Sequence, residues 1–263
     1  MIYVLGSTGM IGKYIFTYLS RHGYDVVGVT HKDIDALDTA SIERFTIALR
    51  DGDVVINAIG ITNKKMNGVS DDYIYNVNTW FPRTLSSLCS ELYVNMYHLS
   101  TDCVFSGADG YYIETDIPDA NHIYGISKYH GEPPDCAVIR TSCLGEGEHR
   151  ELLGWVLSHT DSVIDGYTDH WWNGVTCLRL AKVLAECIDK EKYWKGVKHI
   201  SSQFATKYHL VCAINKLYQL NNHVRKVYAP TPIDRTLMTD RRDIKFPMYN
   251  VFTDLIDQKH YKL

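Results

Sequence analysis

The sequence predicts an α/β protein, a doubly wound parallel sheet followed by a small C-terminal lobe. Three observations carry this reading. Short β-branched runs alternate with longer amphipathic stretches as far as Arg140, which is the rhythm of parallel βαβ units. Runs such as Asp53-Val54-Val55-Ile56-Asn57 are nearly continuously apolar, as suits strands covered by helices on both faces. Beyond Arg140 the rhythm loosens and prolines accumulate at Pro230, Pro232 and Pro247, so a second, smaller unit is expected to complete the chain.

The elements follow in order. Ile2–Leu5 reads as a strand, Met10–His22 as a helix, Asp25–Val29 as a strand, Thr39–Arg50 as a helix and Asp53–Asn57 as a strand. One long helix is expected over Asp71–Leu92, then the strand Met96–Leu99, a loop with Gly107 and Gly110, a helix over Ile123–Gly131 and the strand Ala137–Arg140. Further on come a helix at Glu151–Ser158, a loop carrying Trp171-Trp172-Asn173-Gly174, a helix at Cys177–Asp189, a strand at Val197–Ile200 and a helix at Tyr208–Leu220. Residues 1–140, completed by about 176–200, are assigned to the core, and 141–175 with 201–263 to the second lobe. No Gly-, Ser- or charge-rich linker separates them, so the lobes are expected to pack together around a cleft.

Composition excludes several classes. The chain has 263 residues, 45% hydrophobic and 22% charged, without repeats or low-complexity stretches, which leaves no place for a fibre or a disordered protein. With 27 Lys+Arg against 31 Asp+Glu there is no basic surplus for a nucleic-acid backbone. The seven cysteines are widely spaced with no CxxC pair or zinc-finger pattern, so they read as reduced thiols and no metal site is expected. The N-terminus lacks a signal-peptide pattern and the longest apolar stretch, about Val54 to Ile61, is far short of the ~20 residues of a membrane helix. A cytoplasmic protein with no membrane partner is expected, as either a monomer or a homodimer.

Gly6-Ser7-Thr8-Gly9-Met10-Ile11-Gly12 lies between the first strand and the first helix, where a Gly-x-x-Gly-x-x-Gly string is informative. Glycines there allow a tight turn and let a pyrophosphate approach backbone N–H groups at the positive helix end. This makes the sheet a Rossmann-type dinucleotide fold, with Gly6, Thr8, Gly9, Met10, Ile11 and Gly12 as cofactor contacts. The second strand ends Val29-Thr30-His31-Lys32 rather than on an acid, so His31 and Lys32 are placed to pair with a 2′-phosphate, favouring NADPH. Asp33 and Asp35 nearby keep NADH open. Asn57, Ala58, Ile59 and Gly60 end the third strand where the middle of the nucleotide would pass, and their small size leaves room for it.

Tyr124 and Lys128 stand at i and i+4 in Tyr-Gly-Ile-Ser-Lys and share a helix face. An ammonium beside a phenol brings its high pKa into a useful acid-base range, and Thr101 of Ser100-Thr101-Asp102-Cys103 would hydrogen-bond the same substrate oxygen.

These strings resemble the extended short-chain dehydrogenase/reductases, and among them the dTDP-4-dehydrorhamnose reductase-like branch. The resemblance covers most of the chain and rests on Gly6–Gly12, Asp53–Ala58, Val77-Asn78, Ser100–Gly107, Tyr124–Lys128 with Gly131-Glu132, and Arg140-Thr141-Ser142. It implies that Thr101, Tyr124 and Lys128 form the catalytic triad, that Asp35-Ala36 touches adenine, that Asn78 supports the site, and that the substrate is a nucleotide-diphosphate sugar with a 4-keto group. Two departures bear on chemistry. Related 4,6-dehydratases carry a Glu where this chain has Cys103, which disfavours dehydration. Related reductases carry a Trp near Ser142-Cys143, which alters the sugar pocket.

Cys103 also has the spacing seen in GDP-fucose synthase, where a cysteine and a histidine exchange protons, and His170 is the histidine candidate here. Two readings stand open: C3 or C5 epimerisation through this pair, or an inert buried thiol and a loop histidine. Asp102, Val104, Trp171, Arg179 and Arg235 are the candidate substrate contacts, the arginines for the diphosphate and Trp171 for stacking on a base or sugar. The expected function is NADPH-dependent reduction of a 4-keto-6-deoxyhexose linked to a nucleotide diphosphate. The alternative is a non-catalytic NADP-binding subunit resembling the methionine adenosyltransferase β subunit.

Overall fold

The computed structural model describes residues 1–62, 68–147, 151–241, 243 and 246–263. In chain order the main elements of the first part are β1 (Ile2–Leu5), α1 (Met10–Arg21), β2 (Val26–Val29), α2 (Thr39–Ile47), β3 (Val54–Asn57), α3 (Asp71–Tyr75), α4 (Phe81–Glu91), β4 (Asn95–Leu99), α5 (Ile123–His130) and β5 (Ala137–Arg140). They are followed by β6 (Cys143–Leu144), α6 (Leu152–Leu157), β7 (Val163–Tyr167), β8 (His170–Trp172), β9 (Val175–Thr176), α7 (Cys177–Asp189) and β10 (Gly196–His199). The last are β11 (Ala205–Thr206), α8 (Lys207–Tyr218), β12 (His223–Val227), β13 (Ile233–Asp234) and α9 (Val251–His260).

Six strands form one parallel sheet in the order β10-β5-β4-β3-β1-β2. Alternation along the strands divides the core between its faces. Val4, Ile56, Tyr97 and Ile139 point to one face, against Ile15 and Leu19 of α1 and Leu180 and Leu184 of α7. Leu5, Val55, Met96 and Val138 point to the other, against Ile42 of α2 and Phe81 and Leu85 of α4. The sheet is therefore apolar on both sides, which is why its strands read as continuous hydrophobic runs. The chain leaves β1 toward β2 on one side and returns to β3 on the other. That reversal opens a crevice at the carboxyl ends of β1 and β3, where α/β sheets bind ligands.

Two glycines make the crevice possible. Gly6 turns with φ +75°, in the left-handed region. A Cβ on Gly12 would lie 2.1 Å from the Gly6 carbonyl oxygen, so only glycine lets α1 start so close under the turn.

The smaller lobe has β8 between β11 and β13, and a parallel pair of β7 with β12. Leu153, Ile164, Trp172, Leu210 and Leu255 form its core. All seven cysteines are free thiols. Among the described residues no helix is long and apolar enough to cross a membrane, and no group of three or more His, Cys, Asp or Glu is placed to hold a metal.

Three expectations about elements need correction. The helix expected over Asp71–Leu92 is broken by a π-helical turn at Asn76–Trp80. Pro82 has no N–H to give the carbonyl four residues back, that of Asn78, so the helix widens there. The stretch at Trp171-Trp172 expected as loop is part of β8. The proline-punctuated tail carries α9, started by Asn250, whose side chain accepts from the Phe252 and Thr253 amides at 3.0 and 3.2 Å.

Candidate active site

The crevice continues into two cavities along the ends of β1, β3 and β4. The first, about 430 Å³, is lined by Gly6, Thr8, Gly9, His31, Asp35, Ala36, Ala58, Ile59 and Gly60. Gly9 starts α1 without a side-chain cap, so the positive helix end with its unpaired amides faces the turn, ready for an anion. Close approach at Gly12, positive φ at Gly6 and an uncapped helix together fit a dinucleotide diphosphate.

The sequence candidates divide unevenly around this cavity. Met10 and Ile11 line the second cavity instead, so they sit on the other side of the glycine turn. Gly12 lines neither; its role is to let the turn and helix touch. Lys32 is not among the residues lining the nucleotide cavity. It lies exposed in a turn tied by Thr30, whose amide and hydroxyl both donate to Asp33 at 2.8 Å, so the expectation that it joins His31 there is corrected. Asn57 is wholly buried and faces away from the cavity: Oδ1 accepts from the Ile59 amide at 3.0 Å, and Nδ2 lies 3.1 Å from His98 Nδ1. It shapes the loop beneath the first cavity without lining it.

The second cavity, about 210 Å³, brings Thr101, Asp102, Cys103 and Tyr124 together with Met10, Ile11, Thr62 and Glu151. Tyr124 sits in the first turn of α5, which starts at His122 where Nδ1 accepts from the Gly125 amide at 3.1 Å. It lines this cavity together with the Thr101 side chain. Burial drives the Tyr124 phenol far above its usual range; the nearby Cys103 and Asp102 add to this and Thr101 opposes it. The phenol is therefore held protonated. Thr101 Oγ1 also donates to Asp102 Oδ1 and accepts from the Cys103 amide, both at 3.1 Å.

Lys128 is one turn further along α5 and 4% exposed. Its ammonium is not turned to the phenol: Nζ donates to the Leu99 carbonyl at 2.7 Å and lies 3.3 Å from His98 Nε2. Burial lowers it to about 8, against the opposing pull of Glu132. Asn78, in the π turn, donates to the Ile61 carbonyl at 2.9 Å and to Ser127 Oγ at 3.1 Å and accepts from the Ile61 amide at 2.8 Å. It locks the loop after β3 to α5. A Cβ on Gly131 would lie 1.8 Å from the Asn78 carbonyl oxygen, so glycine at the end of α5 is what lets the helix seat against the π turn.

Several substrate candidates are placed elsewhere. Val104 is wholly buried in a 3-10 turn, packed with Phe105, Tyr112 and Leu237, and has no face toward the cleft. Arg179 is bonded through Nε and Nη2 to Asp254 of α9 and lies over the Tyr249 ring at 5.0 Å, so it ties α7 to α9 and does not line the second cavity. His170 lines a different groove, with Trp155, Tyr167 and Lys207, and its Nε2 is 3.1 Å from the Thr231 carbonyl oxygen. The structure does not bring it to Cys103. Trp171, 42% exposed on β8, is not among the residues lining the cleft. Arg235 reaches the site indirectly: Nε and Nη2 donate to the Phe105 and Ser106 carbonyls at 2.9 and 3.2 Å, and Nη1 lies 3.7 Å from Cys103 Sγ. Burial, with help from Asp102, pushes the Cys103 thiol up to about 12, so it stays protonated at neutral pH.

Sequence reasoning missed three contributors. His98 is hidden inside a strand that reads only as apolar core. Thr62 lines the second cavity with a buried hydroxyl that has no partner among the described residues. Glu132 receives Arg140 in a two-pronged buried pair, Nε at 2.8 Å and Nη2 at 2.7 Å, and accepts from Ser100 at 2.6 Å. Only the Gly131-Glu132 and Arg140-Thr141-Ser142 strings pointed toward this last group.

Comparison with known proteins identifies relatives of this chain. The family description "RmlD substrate binding domain" matches residues 1–241. A dTDP-4-dehydrorhamnose reductase of Mycobacterium tuberculosis is 31% identical over 155 residues, 55% of this chain and 50% of that protein. A dTDP-4-keto-6-deoxy-D-glucose reductase of Streptomyces niveus is 25% identical over 198 residues, 70% of this chain and 67% of that protein. The chain thus spans half the length of the first of these relatives. In fold, it matches the crystal structure of a Bacillus anthracis dTDP-4-dehydrorhamnose reductase in complex with NADP, with a TM-score of 0.85, 18% identity and 98% of each chain covered.

Proposed function

We propose, because the chain belongs to the RmlD substrate-binding-domain family, that it uses NADPH to reduce the 4-keto group of a nucleotide-diphosphate 4-keto-6-deoxyhexose. The observation that carries this is the convergence of Tyr124 and Thr101 in a cavity shared with Met10 and Ile11, directly beyond the glycine turn. The bound cofactor supplies the hydride. The turn from Gly6 to Gly12 and the start of α1 hold its diphosphate, while His31, Asp35 and Ala36 face its adenosine half. Tyr124, kept protonated by burial, gives its proton to the sugar oxygen as negative charge develops there, and the Thr101 hydroxyl aligns that oxygen. Lys128 stands behind the tyrosine to restore its charge balance. NADH is the competing cofactor, since Asp35 shares the cavity with His31.

In this reading segments 141–175 and 201–263 recognise the nucleotide and sugar, with Asp102 at the floor of the sugar pocket and Arg235 bracing Cys103. The reading does not extend to epimerisation by Cys103 and His170, because the two line separate cavities and the thiol is not a base.

The test is absorbance of reduced nicotinamide while the chain meets dTDP- and UDP-linked 4-keto-6-deoxy sugars. Oxidation of NADPH with one of them is the expected result. Tight NADPH binding without oxidation by any would overturn the enzyme reading and leave the non-catalytic subunit. A companion measurement is fluorescence titration of NADPH into Gly12→Ala. With the new Cβ 2.1 Å from the Gly6 oxygen, α1 must move off the turn, and affinity is expected to fall by at least about tenfold, or ~1.4 kcal/mol.

A further inference from the structure

Behind the tyrosine and lysine lies a buried string of side chains, Asn57, His98 and Lys128, which the reduction step above does not explain. Asn57 and His98 are both 0% exposed. Their hydrogen bonds fix where the protons sit. Asn57 Oδ1 accepts from the Ile59 amide at 3.0 Å, so the end of the side chain that meets His98 Nδ1, at 3.1 Å, is the NH2 group. A donor at Nδ1 leaves the proton of a neutral imidazole on Nε2. Burial, with a lesser push from Lys128 whenever Nζ is protonated, holds His98 well below its usual range, so the neutral ring is the form present in either state of the lysine. Its Nε2–H then points at Lys128 Nζ, 3.3 Å away, while Nζ is also held to the Leu99 carbonyl at 2.7 Å. An ammonium has only donors and cannot accept from Nε2–H; an amine offers a lone pair and can.

We propose that His98 is a positioning residue for the reductase site: its Nε2–H faces Lys128 Nζ against β4 and favours the amine over the ammonium, so that the lysine gives up its proton readily. The proposal rests on the reductase reading for its purpose but not for its geometry. In that reading the Lys128 ammonium resupplies Tyr124 through solvent in the cleft, since Nζ itself is turned to the Leu99 carbonyl, after the phenol has protonated the sugar oxygen. The N–H bond of the ammonium breaks, the O–H bond of the tyrosine forms, and the amine left behind is the state that His98 accommodates. Solvent in the cleft returns the proton before the next turnover.

The other groups around Lys128 do not produce this effect. From its own helix come Tyr124, one turn back and protonated, and just beyond the helix Glu132, which favours the ammonium but is itself engaged by Arg140 and Ser100. The π turn contributes the uncharged Asn78, and residues 57–60 contribute no titratable side chain. His98 is the titratable group that β4 sets against Nζ.

The test uses the full chain and two readouts besides activity. Long-range proton–nitrogen correlation on labelled histidine reports the ring tautomer, and His98 is expected with its proton on Nε2; a proton on Nδ1 overturns the proposal without any variant. Carbon NMR of ε-labelled lysine, with the Lys128 signal identified by its loss in Lys128→Arg, follows its titration. Wild type is expected to titrate at about 8. In His98→Gln the side-chain oxygen can turn to the ammonium, and the titration is expected to move up by about one unit, a tenfold gain in proton affinity. An unmoved titration in a folded variant overturns the proposal. If NADPH oxidation is detected, its pH profile moves by the same amount; if none is, the NMR result still decides the role of His98, while the reductase reading fails separately.

Discussion

Tyr124→Phe is expected to lose roughly 10²–10⁴-fold in turnover, the usual contribution of a positioned acid, while binding NADPH with nearly unchanged affinity. The separation follows from where the hydroxyl lies. Tyr124 lines the cavity with Thr101, Asp102 and Cys103, whereas the neighbouring cavity is built from the glycine turn and the ends of β2 and β3. Removing one oxygen leaves the ring in place on α5 and takes away the proton that the proposed reduction gives to the sugar oxygen. Rapid mixing of variant, NADPH and keto sugar, with cofactor binding followed by fluorescence, measures both quantities. Turnover equal to wild type would show that another group gives the proton. Lost cofactor binding would show that Tyr124 holds the nicotinamide end and does more than donate.

What was legible in the sequence was whatever depends on neighbours along the chain. Strand alternation gave the sheet, the glycine string gave the turn after β1, and i, i+4 spacing put Tyr124 and Lys128 on one face of α5. What was not legible depends on distant partners. Arg179 reads as a free cation on an amphipathic helix, and only the fold brings Asp254, 75 residues on, against it. Cys103 stands two residues after Thr101 and His170 is the histidine candidate from the sequence, yet β8 carries the histidine into a different groove. Val104 follows two polar cleft residues, but a single 3-10 turn rotates it into the core. The i, i+4 rule itself was incomplete: it placed the lysine near the phenol, while β4 supplied His98 and the Leu99 carbonyl and drew Nζ away. The π turn had a readable signal in Pro82, whose missing N–H frees the Asn78 carbonyl side of the helix to meet Gly131.

Glu132→Ala is expected to be the most destabilising single change in the site, by about 3–5 kcal/mol, because it strands a buried cation. Arg140 is 3% exposed, gives two hydrogen bonds to Glu132, and has a third nitrogen, Nη1, already without a partner among the described residues. With the carboxylate gone, the guanidinium keeps the face of Phe105, 5.3 Å away, and little else. The damage spreads to the chemistry through two short links. Ser100, which donates to Glu132, immediately precedes Thr101, and Glu132 itself follows the helix that carries Tyr124 and Lys128. The same group thus joins the end of β4, which leads into Thr101, to the helix that carries Tyr124 and Lys128. Urea unfolding of Glu132→Ala should show a much lower midpoint with an unchanged slope. Glu132→Gln, which keeps an acceptor for Ser100 and Arg140 but not the charge, should recover part of the loss. A paired change, Glu132→Leu with Arg140→Met, removes both charges and should lie closer to wild type in stability than either single truncation. If the paired variant is no better than Glu132→Ala, the pair matters through its hydrogen bonds to the strand ends and not through the stranded charge, and the coupling of β4 to α5 must be sought in Ser100 alone.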